Sequence, residues 1–314
     1  MNGMINVYKE KGYTSHDVVA KLRGICRQKK IGHTGTLDPD AEGVLPVCLG
    51  TATKVCELLT EKDKVYEAVL LLGTETDTQD ASGTVLNQKD VRHTPQEIQN
   101  VITSFIGDYS QIPPMYSALK VNGKKLCDLA RAGVEVERKP RQVRIGHIEI
   151  LWMRLPRVGL RIHCSKGTYI RTLCHDIGKK LGCGGCMEEL VRTKVSIFER
   201  EHALTLAQIQ NLADEGRLQE ILLPVDHLFS QYPKVQVRPE FQTMLRNGNR
   251  LPKHAFEPAV QTGRTYRVYL DTLFYALYTS DEKRADYKPV KIFGSQQVRK
   301  NRSTEWNGGT GHEI

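Results

Sequence analysis

The sequence has 314 residues, 39% of them hydrophobic and 26% charged, which is an ordinary balance for a globular protein. This length fits one large domain with a small one, or two domains of moderate size. The formal net charge of +9 makes nucleic acid or another anionic surface a reasonable partner, although many globular proteins are mildly basic.

Membrane, secreted and metal-binding classes find little support in the sequence. No apolar run reaches the roughly 18–20 residues that a membrane span requires. Residues 1–6 lack the basic and apolar regions of a signal peptide, so we expect a cytoplasmic protein whose eight cysteines are reduced. Cys183 and Cys186 form the one close pair, with His175 as the nearest further ligand, and this spacing favours a glycine-rich turn over a metal site.

The first elements in chain order are a strand and a helix. The strand is predicted at Gly3–Lys9, and Thr14 or Ser15 caps the helix that follows. Gly32–Pro46 contains three glycines and two prolines, so we predict a polar loop whose shape depends on backbone constraints rather than on burial. The next predicted elements are a helix at 52–59 and a β-rich central strand at 65–72.

The strongest helix signal lies in the middle of the chain. Thr94 caps this helix, Pro95 takes its first position and Glu97 completes a capping box. Gln111–Lys120 is predicted to be extended because its two prolines do not fit a helix interior. The remaining elements predicted before the domain boundary are helices at 126–132, 169–181, 206–215 and 218–222 and strands at 141–153 and 159–164.

A domain boundary is indicated between Pro224 and Pro233. Beyond it the pattern changes to short β-like runs, Thr265–Leu270 and Leu273–Thr279, which are separated by turn residues. We therefore predict a large domain over residues 1–230, a small β-rich domain over 231–293, and a disordered, glycine-rich tail over 294–314.

Three residues are candidates for chemistry. Pro39 restricts Asp38 to an extended conformation on an open loop, which presents a carboxylate, although an ordinary Asp-Pro turn is the commoner explanation. Arg171 lies in the first turn of a predicted helix, where a cation is unfavourable for the helix dipole. It is either a surface arginine or a cation that keeps a carboxylate ionised and oriented. Tyr66 is either a core aromatic or a stacking face for a nucleobase, with a hydroxyl available for proton transfer.

Six ordered blocks between about residues 3 and 230 resemble motifs of the TruB-type tRNA pseudouridine synthases, a bacterial family. Two departures from the family pattern are Glu10, where proline is usual, and Cys127, where tyrosine is common. The blocks are Lys9 with Gly12–Ser15, Gly32–Pro46 around Asp38, Lys64–Tyr66 with 72–83, Gln111–Lys120 with Gly123 and Ala130–Arg131, Cys164–Arg171, and Leu190 with Arg192.

The resemblance implies an α+β pseudouridine-synthase fold, with a mixed, largely antiparallel sheet flanked by helices and a small C-terminal domain similar to the PUA RNA-binding fold. It implies that a uridine in the T-loop of tRNA is isomerised to pseudouridine without a cofactor. It further implies that Asp38 is the nucleophile, that Arg171 keeps it charged, and that Tyr66 stacks on the uracil and helps to remove the C5 proton. Attack of Asp38 at C1′ and removal of a C2′ proton both remain open.

A uridine within a folded loop has to be extruded, at a cost of a few kcal/mol. His33 is expected to fill the space that the base leaves, with a loop-stabilising hydrogen bond as the alternative. Lys9, Lys64 and Leu190 are expected to contact the substrate, Leu190 by packing against the base. We expect a monomer that binds the T-arm stem-loop of tRNA and requires no protein partner. The candidate phosphate contacts, with a solvated basic face as the alternative, are Lys120, Lys124, Lys125, Arg131 and Arg141.

Three other functions compete with this interpretation. A non-catalytic RNA-binding protein on the same scaffold does not need Asp38, Tyr66 and Arg171 together. A zinc-dependent base deaminase is suggested by the basic charge and the cysteine pair, but the sequence lacks the His-x-Glu motif of such enzymes. A guide-RNA-dependent synthase is the third, and Gln111–Lys120 favours a stand-alone enzyme over it.

Overall fold

The structure is a computed structural model that describes residues 1–281 and 283–294. The chain divides after Leu223 into two compact units. The predicted tail over 294–314 lies outside the described residues except for Gly294. Within the described part of the chain, no helix is long and apolar enough to cross a membrane.

The first unit is built on one large mixed sheet. The strands of the first unit, inside and outside this sheet, are β1 (Gly3–Lys9), β2 (Ile31–His33), β3 (Glu42–Leu49), β4 (Lys64–Leu72), β5 (Thr74–Thr76), β6 (Val85–Gln88), β7 (Gly107–Gln111), β8 (Lys120–Val121), β9 (Lys124–Lys125), β10 (Arg141–Arg154), β11 (Arg157–Cys164), β12 (Gly185–Val195) and β13 (Phe198–Glu199).

The large sheet has the strand order β1-β3-β12-β4-β11-β10-β7, with β2 paired to β3 and β13 to β12. Its pairings are antiparallel except that of β3 with β12, which is parallel. Two small hairpins, β5-β6 and β8-β9, lie outside it. The sheet is therefore mixed and largely antiparallel, which confirms the predicted fold class.

Helices cover this sheet. The α-helices of the first unit are α1 (Ser15–Ile25), α2 (Cys56–Thr60), α3 (Pro95–Thr103), α4 (Leu126–Arg131), α5 (Ile170–Leu181) and α6 (Leu206–Asp214). Short 3-10 helices lie at Gly50–Val55, Arg200–His202 and Leu218–Ile221.

Local sequence signals account for several of these boundaries. Thr94 and Glu97 form both hydrogen bonds of the predicted capping box of α3, and Thr14 forms the same motif with Asp17 at the start of α1. Helix α5 ends at Gly182, which has a φ of 78° and takes the left-handed conformation that glycine adopts without strain.

The main core lies between α5 and the buried face of the sheet. Burial alternates along β4, so that Tyr66, Ala68 and Leu70 point to one face. They pack in one cluster with Leu173 and Ile177 of α5. The hydrophobic face of the helix thus fixes the helix against the strand that carries Tyr66.

The prediction of a loop over the whole of Gly32–Pro46 was wrong at both ends, since Gly32 and His33 belong to β2 and the last five residues to β3. Residues from Glu42 to Leu49 form β3, and nearly all of them are buried. The strand is stable despite Gly43 and Pro46 because it pairs with β1 on one side and with β12 on the other. The helix predicted at 52–59 is a 3-10 helix followed by the short α2.

The second unit is a separate β domain. Its elements are β14 (Lys234–Val237), α7 (Gln242–Arg246), β15 (Leu251–Pro252), β16 (Phe256–Glu257), β17 (Thr265–Leu270), β18 (Leu273–Asp281) and β19 (Asp286–Ile292), with 3-10 helices at Val225–Phe229, Pro239–Phe241 and Lys253–Ala255. The strands form one sheet in the order β15-β19-β18-β17-β14-β16. Tyr266, Tyr278, Tyr287 and Phe256 supply much of its core.

The approach of β3 to β12 requires glycine at position 43, where φ is 105° and an added Cβ would lie 2.2 Å from the carbonyl oxygen of Arg192. We expect Gly43→Ala to lower the free energy of unfolding by about 3 kcal/mol through strain and overpacking. Gly216→Ala is the matched control, since Gly216 also has a positive φ, 73°, but faces open space. It should cost about 1 kcal/mol. Urea denaturation measures both, and equal losses would contradict the close approach.

Candidate active site

Asp38 lies between β2 and β3, where its side chain is 44% exposed. Its Oδ2 atom is 3.1 Å from Nη2 of Arg171, which occupies the first turn of α5. The Arg171 side chain is only 6% exposed. The structure thus brings together the carboxylate and the cation that the sequence indicated separately.

Arg171 has further partners that fix its guanidinium. Nη1 lies 3.3 Å from Oδ2 of Asp80 and donates to the carbonyl oxygen of Thr78 at 3.3 Å. Nη2 donates to the carbonyl oxygen of Tyr116 at 2.7 Å. Because these partners come from separate segments, the orientation of Arg171 does not depend on Asp38 alone.

The charge of Asp38 depends on this arrangement. Burial by the surrounding protein raises the pKa of the Asp38 carboxyl above its ordinary value, because it disfavours the charged form. The Arg171 guanidinium acts in the opposite direction, whereas the negative charge of Asp80 raises the pKa further. Arg171 is therefore the main group that favours an ionised Asp38.

Arg192 on β12 holds the loop that carries Asp38. It is 1% exposed, and its guanidinium donates to the carbonyl oxygens of Val44 at 2.7 Å, Gly35 at 3.2 Å and Thr36 at 3.5 Å. These bonds connect both ends of the loop to one buried cation. Arg192 thereby fixes the shape of the loop around Asp38 relative to β12.

Lys9 supports the backbone that follows Asp38. This lysine is 0% exposed, and its Nζ donates to the carbonyl oxygens of Tyr13 at 2.6 Å, Pro39 at 3.1 Å and Glu10 at 3.2 Å. Burial lowers its pKa to about 8. Lys9 was predicted to contact the substrate, and in the structure its ammonium is directed at backbone carbonyl oxygens instead of at the cavity. The structure places it as a support for the turn at Pro39.

Asp38 borders a cavity of about 590 Å³. Tyr66 from β4 and Leu190 from β12 also line it, and they are 8% and 9% exposed. Burial raises the pKa of the Tyr66 phenol, and the neighbouring positive charge of Arg192 opposes that shift. A flat aromatic ring, an aliphatic side chain and a carboxylate thus border one cavity.

Lys64 lines the same cavity, but its hydrogen bonds go to the backbone. Its Nζ donates to the carbonyl oxygens of Thr60 and Lys62, each at 2.6 Å, and burial lowers its pKa to about 8. Lys64 is therefore near the cavity without presenting an unpaired ammonium to it.

His33 is not brought into the cavity lining. It ends β2, and its ring meets that of His16 edge to face with the centroids 5.3 Å apart. Burial lowers the pKa of His33 and so favours the neutral ring. Its buried Nδ1 has no hydrogen-bond partner among the described residues.

The predicted phosphate contacts lie on two surfaces. Arg141, at the start of β10, borders the cavity itself. Arg131 is exposed and lies 3.8 Å from Asp128. The other three, Lys120, Lys124 and Lys125, form the β8-β9 hairpin and line a separate depression beside α4.

Two residues that position the site, Arg192 and Asp80, were not predicted as site residues from the sequence. Arg192 stands in an ordinary strand and Asp80 in a polar turn, so no local pattern marks the burial of Arg192 or the contact of Asp80 with Arg171. Both lie within motif blocks, which was the one available signal. No group of His, Cys, Asp and Glu side chains in the described part of the chain could hold a metal ion.

Comparison with known proteins identifies the family. A model described as "TruB family pseudouridylate synthase (N terminal domain)" matches residues 23–170, and one described as "tRNA pseudouridylate synthase B C-terminal domain" matches residues 171–230. The chain is 54% identical over 306 residues to tRNA pseudouridine synthase B of Lachnoclostridium phytofermentans, covering 93% of this chain and 100% of that protein. The chain belongs to the TruB family of pseudouridylate synthases. It is therefore a pseudouridine-forming isomerase.

Other TruB relatives and solved structures agree with this assignment. The enzyme of the same name from Alkaliphilus oremlandii is 45% identical over 93% of this chain and 97% of its own length. An H/ACA ribonucleoprotein bound to a substrate RNA containing 2′-deoxyuridine has a TM-score of 0.69 at 26% identity, over 94% of this chain and 86% of that one. A Cbf5-Nop10-Gar1 complex gives 0.70 at 28% identity, over 94% and 85%.

The role of Arg192 in the fold can be measured by substitution. We expect Arg192→Met to lower the free energy of unfolding by about 3 kcal/mol, because it leaves one buried and two partly buried carbonyl oxygens without their donor. Arg161→Met is the control, since Arg161 pairs with Glu67 and Glu149 at a partly exposed site. It should change stability by less than about 1 kcal/mol. A chemical denaturation curve for each variant checks this, and a small loss in Arg192→Met would contradict a supporting role.

Proposed function

We propose that this chain isomerises a uridine in the T-loop of tRNA to pseudouridine, with Asp38 as the nucleophile and with extrusion of the base. The observation that carries the proposal is the ion pair of Asp38 with the buried Arg171 at the edge of a cavity that Tyr66 and Leu190 line. The names of the relatives, tRNA pseudouridine synthase B, support tRNA as the substrate.

The chemistry requires a carboxylate and little else. The N1–C1′ bond breaks, the uracil turns, a C5–C1′ bond forms, and the C5 proton leaves while N1 gains one, so that no electrons are exchanged. An ionised Asp38 can attack C1′ or remove the C2′ proton, and its 44% exposure leaves it accessible for either. Arg171 keeps this carboxylate charged when the substrate displaces water from it.

Tyr66 and Leu190 provide the two kinds of contact that a uracil needs. The ring of Tyr66 supplies a stacking face, and Leu190 supplies an apolar contact. Because the pKa of Tyr66 is raised, its phenol is protonated at rest. We propose that its hydroxyl relays the C5 proton with support from the charge of Arg192, rather than acting as a resting phenolate.

Base extrusion leaves a gap in the RNA loop. His33 lies outside the cavity lining, is partly exposed, and is neutral by its lowered pKa. We propose that its ring occupies the gap. Lys64 contributes positive charge at the cavity edge, and Lys9 acts indirectly by holding the turn at Pro39.

Phosphate groups of the T-arm are proposed to contact Arg141 at the cavity and the basic hairpin β8-β9. The C-terminal unit is proposed to be a PUA-like RNA-binding domain over about residues 231–293, with exposed cations such as Arg264 just before β17 and Lys288 in β19. We propose that the enzyme acts in the cytoplasm as a monomer that needs neither a cofactor nor a protein partner.

The nucleophile can be tested directly. Wild type and Asp38→Asn are incubated with an unmodified T-arm stem-loop, and pseudouridine is mapped in the RNA. The amide cannot form the covalent bond or take the proton, so we expect no product from the variant, while RNA binding stays within a few-fold of wild type. Substantial turnover by Asp38→Asn would defeat the assignment, and product at another position would defeat the T-loop proposal.

The pH dependence follows from the charges around Asp38. Its pKa is raised, so the single-turnover rate should increase with pH through an acid limb that lies above the ordinary carboxyl value. Asp80→Asn removes a negative charge that raises this pKa, so the limb should move to lower pH. The plateau rate should fall in the same variant because Arg171 loses a partner. Ser82→Ala is the control, since its hydroxyl contacts Asp80 and not Arg171. An acid limb displaced to higher pH in Asp80→Asn would contradict this electrostatic account.

A further inference from the structure

Gln111, the last residue of β7, hydrogen-bonds the backbone of Tyr169, the residue just before α5. Its Nε2 donates to the carbonyl oxygen of Tyr169 at 2.8 Å, and its Oε1 accepts from the backbone amide of Tyr169 at 2.8 Å. Gln111 is 1% exposed, so water does not compete for these bonds. Two bonds to the donor and the acceptor of one residue fix both the position and the orientation of its backbone.

Tyr169 is the N-cap of α5, and no side-chain hydrogen bond from within the helix caps it. The side chain of Gln111 therefore accepts from the backbone amide of the N-cap residue, as the glutamate or glutamine of a capping box does from the third helical position. Arg171 follows two residues later, in the first turn. The position of its Cα atom is thus set by the backbone that Gln111 holds.

The chain that leaves Gln111 also reaches Arg171 directly. Five residues after Gln111, the carbonyl oxygen of Tyr116 accepts from Nη2 of Arg171 at 2.7 Å. The same nitrogen lies 3.1 Å from Asp38. The segment that starts at Gln111 therefore holds Arg171 both through the start of its helix and through its guanidinium.

We propose that Gln111 is a positioning residue for Arg171, and through Arg171 for the carboxylate of Asp38. The inference rests on the proposed function, in which these two residues act on the uridine. Gln111 is buried behind the helix start, so its role requires no contact with RNA.

Tyr109 supplies a matched control on the same strand and the same helix. It lies two residues before Gln111 and is also hydrogen-bonded to the Gln111 side chain, but Tyr109→Phe leaves both bonds between Gln111 and Tyr169 in place. The hydroxyl of Tyr109 donates to the carboxylate of Asp176 in α5. This contact holds the helix more than one turn beyond Arg171. Weaker docking of α5 in general should affect Gln111 and Tyr109 variants alike, whereas a shifted Arg171 should appear in Gln111 variants alone.

The experiment compares wild type, Gln111→Ala, Gln111→Glu and Tyr109→Phe as full chains. The readouts are the single-turnover rate of pseudouridine formation on an unmodified T-arm stem-loop as a function of pH, the KM, the Tm, and the hydrogen-exchange rate of the Tyr169 amide. Gln111→Glu keeps the volume of the side chain and the acceptor for that amide but loses the donor, so it remains informative if Gln111→Ala does not fold.

We expect Gln111→Ala to lower the rate roughly 10- to 100-fold with little change in KM, as for a displacement of a catalytic group by about 1 Å. Its acid limb should move to higher pH, because Asp38 loses part of the charge that favours its ionised form. The Tyr169 amide should exchange faster. Gln111→Glu should change the rate and the limb in the same direction, and Tyr109→Phe should keep the wild-type rate at a comparable loss of Tm.

Wild-type rates and pH profiles in both Gln111 variants would overturn the inference. An equal loss of rate in Tyr109→Phe would overturn it too, since general docking of α5 would then explain the effect. Absence of wild-type product would overturn the proposed function instead, and the exchange rate of the Tyr169 amide, which needs no substrate, would still show whether Gln111 fixes the helix start.

Discussion

Three buried cations converge on the short loop that carries Asp38, and the rest of the site depends on them. Arg192 binds the carbonyl oxygens of Gly35 and Thr36, Lys9 binds that of Pro39, and Arg171 meets the Asp38 carboxylate. They come from β12, β1 and α5, which are far apart in sequence. The loop can therefore take its shape only after the sheet has assembled and brought these elements together.

Burying cations is expensive unless their donors are satisfied and their charge is balanced. Arg192 and Lys9 satisfy their donors with backbone carbonyl oxygens, and the low pKa of Lys9 shows that burial still disfavours its charged form. Arg171 has two carboxylates near it, Asp38 and Asp80. The second carboxylate holds the guanidinium in place and at the same time raises the pKa of the first. Asp80 thus fixes the position of Arg171 but opposes part of the stabilisation that Arg171 gives to the ionised form of Asp38.

The sequence allowed local structure and motif residues to be predicted more readily than their connections. Capping boxes such as that of Thr94 and Glu97 are local, so the start of α3 followed from three residues. Asp38 and Arg171 could be found because each is unusual in its local setting, and their family motifs placed them together. Arg192 and Asp80 have no such local mark, since their importance comes from contacts with residues more than 90 positions away.

The error over β3 has the same origin. Gly43 and Pro46 favoured the prediction of a loop, because glycine and proline weaken an isolated strand. In the sheet, Gly43 is required, since the backbone of Arg192 leaves no room for a Cβ atom. The burial of Lys9 could not be predicted for the same reason, because a lysine in a motif block is expected to face an anionic substrate, and only the folded chain shows that its ammonium is fully buried.

In the proposed reaction, the difference in exposure between Asp38 and Arg171 explains how their ion pair can tolerate the substrate. Asp38 is 44% exposed and Arg171 only 6%, so an incoming uridine would remove water from the carboxylate and leave the environment of the guanidinium almost unchanged. Removal of water alone raises the pKa of a carboxyl and weakens it as a nucleophile at neutral pH. The same removal strengthens the attraction between the two charges, because the local dielectric constant falls. Arg171 can supply that compensation only if it does not move, and its bonds to Thr78, Tyr116 and Asp80 keep it in place before any RNA arrives.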